Sequence, residues 1–225
     1  QISEKIVHGK NNYNELWKEL DDSEKHNKFL KNAPWSDFKV FGNLLNIIPD
    51  DTVIHLGNST PVRYAMLFKE RKNIEWYSNR GTSGIDGIIS TAAGFASVSN
   101  KTNTVISGDI SFFYDSNALW NKHLPNNLKI IVINNQGGGI FRFIPGPAST
   151  GHLEEFFETQ QDLNIKKMTE VFDLNYYFCD EKSNFNDILK KVYQPHNKAV
   201  VLEIRTHGEL NDKVLKDYFN NIKQK

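Results

Sequence analysis

Six short runs of strand-forming residues punctuate the chain: Thr52–Leu56, Ile74–Tyr77, Asn103–Ser107, Leu128–Ile133, Tyr176–Cys179 and Ala199–Arg205. At 103–107 and 128–133 the apolar positions follow one another instead of alternating with polar ones, as in strands buried on both faces of a parallel sheet. Before and between the runs lie stretches that read as helices: Trp35–Ile48, ended by Pro49-Asp50-Asp51, then Ile85–Ser97 and Phe112–His123. Strands alternating with helices predict an α/β fold, a doubly wound parallel sheet with helices on both faces. Residues 1–33 are more polar and carry a predicted amphipathic helix over Tyr13–Phe29, with Leu16, Trp17, Leu20 and Phe29 on one side. That segment reads as a linker from a preceding domain, and 34–225 as one α/β domain. The stretch from Pro145 to Leu163, with Gly146, Pro147, Gly151 and several acids, is expected to be a mobile loop and helix over the sheet end.

Doubly wound sheets bind ligands at the carboxyl ends of their strands. The polar and glycine-rich segments fall there: Gly57-Asn58-Ser59, Ser78-Asn79-Arg80, Gly108-Asp109-Ile110-Ser111 and Asn134-Asn135-Gln136-Gly137-Gly138-Gly139. Asp109 and Asn135 are 135 − 109 = 26 residues apart, room for one helix, the turn Pro125-Asn126-Asn127 and a strand, a single βαβ crossover. One carboxylate and one amide carbonyl on adjacent strand ends suit a hard, oxygen-seeking cation such as Mg²⁺. The glycines after Asn135 allow close backbone approach, offering a carbonyl to metal and amides to phosphate. A helix starting near Ser111 aims its positive end at the same place, so the Ile110 and Ser111 amides and the Ser111 hydroxyl are candidate anion donors. Ser111 also reads as a plain N-cap. Taken alone, the two segments read equally as ordinary strand-end turns.

Lysine plus arginine (27) equals aspartate plus glutamate (27), so no global field draws the chain to nucleic acid or to an acidic membrane. Anion recognition must be local. The single cysteine, Cys179, excludes an internal disulfide and reads as a strand packing residue in a reducing compartment. No apolar run approaches the roughly 18 residues of a membrane span and no signal segment opens the chain, so the expected location is cytoplasmic. The seven histidines form no metal-ligand spacing, and neither a GxxxxGK[ST] loop nor a local Ser-His-Asp or Cys-His signature occurs.

The pairing of Gly108-Asp109 with Asn134-Asn135 resembles the GDG-to-NN signature of thiamine diphosphate (ThDP) enzymes, with Ile110 in place of the family's second glycine. GNSTPVR at 57–63, SNRGTSGIDG at 78–87, GDISFFYDSNALW at 108–120 and NNQGGGIF at 134–141 resemble one branch of them, the MenD synthases of menaquinone biosynthesis. The resemblance runs from about residue 35 to the C-terminus and covers the last third or so of such an enzyme. A chain that starts at Gln1 therefore reads as a fragment, without the pyrimidine-binding domain that carries the cofactor-activating glutamate. It implies ThDP and Mg²⁺ or Mn²⁺ as cofactors, with Asp109, Asn135 and the Gly137 carbonyl as metal ligands. Gly108, Ile110, Ser111, Gly138 and Gly139 would meet the diphosphate, and Thr82, Ser83 and Ile85 the aminopyrimidine, Ile85 as an apolar wedge beneath it or as ordinary core. Ser59, Arg63 and Arg80 would bind substrate carboxylates, or the two arginines lie on a solvated surface, while Ile140 and Phe141 would form an apolar wall. The implied reaction of the whole enzyme, a dimer or tetramer, decarboxylates 2-oxoglutarate and adds the succinyl-semialdehyde unit to isochorismate, with this chain silent by itself. An acetolactate-synthase-like carboligase and a noncatalytic phosphate-binding module remain the competing readings.

Overall fold

The computed structural model describes residues 24–69, 71 and 73–223. Leu16, Trp17 and Leu20 of the expected first helix lie outside them. From Glu24 to Asn32 the chain is helical (α1), with Phe29 and Leu30 packed on the core. A second helix, α2 (Asp37–Ile47), starts where the Ser36 hydroxyl accepts the Lys39 amide, and it buries Phe38, Val40, Phe41, Leu44 and Leu45. Strands β1 (Val53–Leu56), β2 (Glu75–Ser78), β3 (Asn103–Gly108), β4 (Leu128–Asn134), β5 (Asn175–Cys179) and β6 (Val200–Arg205) form one sheet. The helices between them are α3 (Thr60–Ala65), α4 (Ile88–Ala96), α5 (Asp109–Tyr114), α6 (Ile165–Val171) and α7 (Phe185–Val192), and α8 (Gly208–Lys223) follows β6.

All neighbouring strands are parallel, in the order β2-β1-β3-β4-β6-β5. Winding goes outward from β1 to β2, then returns past β1 to β3, so the switch point lies between β1 and β3. Residues of alternating parity supply two cores, as the two-residue period of a strand requires. One side packs Ile54, Ile106, Ile131 and Leu202 with α2, α3, α7 and α8; the other packs Val105, Ile130, Val132 and Val201 with α4, α5 and α6. β3 and β4 are buried along almost their whole length, their polar Asn103, Thr104, Ser107 and Lys129 included.

The structure departs from the periodicity in three places. The helix expected over 112–123 begins at Asp109, ends at Tyr114 and passes into a 3₁₀ turn over Ser116–Trp120. Asp115 makes the break: its carboxylate accepts the Ser90 amide at 2.8 Å and also the Ser90 hydroxyl. α4 starts at Ile88 rather than Ile85, because Gly87 at φ +76° turns the chain just before it and offers no side-chain cap; Asp115 caps it from a distance. Between Pro145 and Leu163 the chain forms a 3₁₀ turn (Pro147–Ser149) and a π-type turn (Leu153–Phe157) instead of an α-helix.

Candidate functional site

A cavity of about 400 Å³ opens at the switch point, lined from four chain segments: Asn58–Pro61 after β1, Ile85 before α4, Gly108–Ser111 with Tyr114 after β3, and Asn135 with Gly137–Phe141 after β4. Phe156, Phe157 and Thr159 cover one side. Gly108 ends β3 in an extended conformation and turns directly into α5, so Asp109 is the first helical residue and is 1% exposed. Its Oδ2 is buried without a hydrogen-bond partner among the described residues. Burial drives the carboxyl pKa up from 3.8 to about 7, against the pull of the Ile110, Asp109 and Gly137 backbone amides and with a further push from the Asp37 charge. A buried oxygen in that state wants a proton or a cation.

The neighbouring donors suit a cation. Asn135 directs its amide nitrogen to the Asp37 carboxylate at 3.1 Å, and its Oδ1 makes no hydrogen bond to the described residues. Gln136 at φ +67° and Gly137 at φ +149° reverse the backbone beside it. A Cβ on Gly137 would lie 2.6 Å from the Glu158 carbonyl oxygen, so only glycine fits that bend. Among the described residues no cluster of three His, Cys, Asp or Glu side chains occurs. A cation here would therefore be held by mixed oxygens, one carboxylate, one amide and one backbone carbonyl, with open positions, the donor set of Mg²⁺ beside a phosphate.

The other expected site residues are placed as follows. Ser59 sits in the cavity wall at φ +72°, ahead of α3. Arg63 and Arg80 are exposed and stand outside the cavity lining, but each is tied to a residue that lines it: Arg63 Nη1 donates to the Ser59 carbonyl at 2.7 Å and Arg80 Nη1 to Asn58 Oδ1 at 2.9 Å. Neither guanidinium pairs with a carboxylate among the described residues. Ile85 lines the cavity half-buried, and its carbonyl accepts the Ser111 hydroxyl. That donor is thereby spent inside the protein. Thr82 and Ser83 are exposed and stand outside the cavity lining, Ser83 at φ +59° bonding back to the Arg80 carbonyl at 3.3 Å. The Gly138 amide donates to the Glu158 carbonyl at 2.6 Å and the Gly139 amide to the Gly137 carbonyl at 3.0 Å, so both are engaged within the protein. Ile140 and Phe141 form part of the wall, with the Phe141 ring 5.6 Å from that of Phe157.

Three residues matter here that sequence alone did not single out. Asn58, 4% exposed, donates to the Asn79 and Gly84 carbonyls at 2.7 and 2.6 Å and so ties the loop after β1 to the loop after β2 at two points. Glu158 closes the far side through a paired contact with Arg142, whose Nη2 lies 2.7 Å from Oε2. Asp37, fully buried at the start of α2, holds Asn135. Only Asn58 carries a signal, its place directly after a strand beside Gly57; the other two depend on partners 16 and 98 residues away.

Residues 57–204 match the family described as thiamine pyrophosphate enzyme, C-terminal TPP binding domain. The chain is similar to proteins named 2-succinyl-5-enolpyruvyl-6-hydroxy-3-cyclohexene-1-carboxylate synthase. It is 42% identical to that of Christiangramia forsetii over 88% of this chain and 34% of the relative. Identity is 43% to that of Porphyromonas gingivalis (88% and 34%) and 38% to that of Bacteroides fragilis (84% and 35%). The chain thus spans about a third of the length of the curated relatives it matches. The cofactor of this domain family is thiamine diphosphate, and the partnerless buried carboxylate oxygen and the glycine-rich backbone at the switch-point cavity fit a cation-held diphosphate. With more than half its residues matching that domain, the chain belongs to the thiamine pyrophosphate enzyme family.

Proposed function

We propose that Asp109, Asn135 and the Gly137 carbonyl hold a Mg²⁺ or Mn²⁺ ion that anchors the diphosphate of ThDP. We propose also that the full-length protein carrying this chain is a transferase of menaquinone biosynthesis. It decarboxylates 2-oxoglutarate and adds the succinyl-semialdehyde unit to isochorismate, giving 2-succinyl-5-enolpyruvyl-6-hydroxy-3-cyclohexene-1-carboxylate. The observation that carries the site is the buried, partnerless Asp109 Oδ2 facing a cavity that Asn135 and Gly137 share. The similarity to synthases of that name supports the reaction.

When bound, ThDP supplies the electron sink that lets a 2-oxo acid lose carbon dioxide and pass its acyl carbon on to an acceptor. This chain's residues have four tasks. Asp109 brings the negative charge that fixes the cation, and the first-turn amides of Ile110 and Ser111 face the anion. Ile85 presents an apolar edge to the aminopyrimidine side. Ile140 and Phe141, with Phe157 behind, keep water from the reacting carbon. Arg63 and Arg80, pinned to Ser59 and Asn58 and without carboxylate partners among the described residues, read the substrate carboxylates in bidentate fashion. Cytoplasmic placement and homo-oligomeric assembly of the full-length protein belong to the same proposal. The lone buried Cys179 suits a reducing compartment, and among the described residues no helix is long and apolar enough to cross a membrane.

Calorimetric titration of ThDP with Mg²⁺ into the protein and its Asp109→Ala variant, with ADP as competitor, tests the site. Metal-dependent ThDP binding that the variant loses and ADP does not displace is expected. Metal-independent binding, or ADP in preference, overturns it. For the reaction, turnover of pyruvate in preference to 2-oxoglutarate by the full-length enzyme would sink the substrate assignment.

A further inference from the structure

Asn134 is the last residue of β4 and Asn135 the first beyond it, and the side chain of each ends on a buried carboxylate. Asn135 Nδ2 donates to Asp37 Oδ2 at 3.1 Å; Asn134 Nδ2 donates to Glu203 Oε1 at 2.7 Å. A side-chain amide has nearly the same shape either way round, and its neighbours decide which end carries the oxygen. An ionised carboxylate accepts only, so it fixes the NH₂ end and hence the oxygen. On the Glu203 side the result is visible, since Asn134 Oδ1 accepts the Gln136 amide at 3.2 Å in the turn that presents Gly137.

The Asp37 side is built to the same end. Ser36 caps α2 and places Asp37 in its first turn, where the helix dipole favours an anion and the rise in pKa that burial imposes is opposed by the bonds from Thr206, Asn135 and Asn211. Asp37 Oδ1 accepts the Thr206 hydroxyl at 2.6 Å, and its backbone amide donates to Asn211 Oδ1 at 2.8 Å. Thr206 is itself fixed by its amide donating to the Asn134 carbonyl at 3.0 Å. With one oxygen taken by Thr206 and the other by Asn135, the carboxylate cannot turn, and Asn135 cannot reverse its amide without setting oxygen against oxygen.

We propose that Asp37 is a positioning residue that orients the Asn135 side chain so that its carbonyl oxygen, not its NH₂ group, faces the cation. This rests on the reading of Asn135 as a metal ligand. Loss of such an outer partner costs about 10–100-fold in metal affinity.

The test is Mn²⁺ titration in the presence of ThDP, followed by the electron paramagnetic resonance signal of free Mn²⁺. It compares wild type, Asp37→Leu, Thr206→Val, Asn135→Asp and the double variant Asp37→Leu/Asn135→Asp, with a melting temperature for each. Thr206→Val also removes a buried bond of Asp37 but leaves Asn135 held. Asp37→Leu is expected to weaken Mn²⁺ at least tenfold, and Thr206→Val by less than threefold. In the Asn135→Asp background no amide remains to orient, and Asp37→Leu is expected to leave Mn²⁺ affinity unchanged or improved. The same penalty in both backgrounds, or losses that simply track melting temperature, would overturn the proposal. Should Asp37→Leu not fold, the wild-type protein still decides: the Asn135 NH₂ resonances, identified by their absence in Asn135→Asp, must exchange slowly with solvent, and fast exchange refutes the clamp. Failure of wild type itself to bind Mn²⁺ with ThDP strikes the metal-site reading; binding by wild type together with an indifferent Asp37→Leu strikes only this inference.

Discussion

Replacing Asp109 with asparagine should make the metal-free protein more stable while removing its ability to hold metal. The carboxyl group is 1% exposed, one oxygen has no partner among the described residues, and its pKa stands at about 7 against an ordinary 3.8. Between those values the folded protein keeps a proton that the unfolded chain has released. Stability therefore falls as pH rises through the window, and the full loss is present above about pH 7. Raising the pKa from 3.8 to about 7, at about 1.4 kcal/mol per unit, amounts to roughly 4 kcal/mol. The Asp109→Asn side chain would not titrate, but it buries an amide hydrogen without a partner at about 1–3 kcal/mol. A net gain of about 1–3 kcal/mol at pH 8 is expected, shrinking and changing sign toward pH 4. Urea denaturation with chelator present, at pH 5 and pH 8, measures it; repeating it with Mg²⁺ and ThDP should reverse the order, because only wild type is stabilised by mass action. Wild-type and variant stabilities that run parallel with pH would show that Asp109 carries no burial cost, and the argument from its partnerless oxygen would fall.

His55 acts with the opposite sign. Burial holds its pKa below 6.5 and its Nδ1 has no partner among the described residues, so stability should be full above pH 6.5 and decline below it by at most about 1.4 kcal/mol per pH unit; His55→Gln should abolish that slope in the same denaturation series. Gly137→Ala places a methyl 2.6 Å from the Glu158 carbonyl at φ +149°, and a loss of about 2–5 kcal/mol is expected. Gly146→Ala, at φ +101° but in open space, should cost only the backbone strain of about 1–3 kcal/mol. In the full-length enzyme, Arg80→Ala should raise KM for the dicarboxylic 2-oxo acid about 10–100-fold, as loss of a bidentate charged contact implies, and steady-state kinetics with an unchanged KM would rule out its carboxylate role.

The parallel sheet was legible because short strand-forming runs recur between helical stretches, and because β4 carries Ile130-Ile131-Val132-Ile133 unbroken. The positions of Asp109, Asn135 and Gly137 followed from where those runs end. Local spacing could not reveal what depends on pairing across the chain. Asp115 looked like one more helical residue, yet its bond to Ser90 ends α5 and caps α4. Asp37 lay unmarked inside the helix expected over Trp35–Ile48, because nothing near it in sequence announces Asn135 or Thr206. Likewise the glycine amides of 138 and 139 looked free, since their partners come from Glu158, brought in by a turn with no helical period, and from the bend at Gly137.

The hub around Asp37 also bears on the order in which the molecule is built. Its bonds to Asn135, Thr206 and Asn211 span 98, 169 and 174 residues, each a long loop whose closure entropy must be met before the contact stabilises anything. Local helices and the central β3–β4 pair can form before these bonds, which complete only once β6 and the first turn of α8 have docked. Changes at Asp37 or Thr206 should accordingly leave the rate of folding almost untouched and appear as faster unfolding. The cation site is then among the last parts of the protein to assemble and the first to come apart.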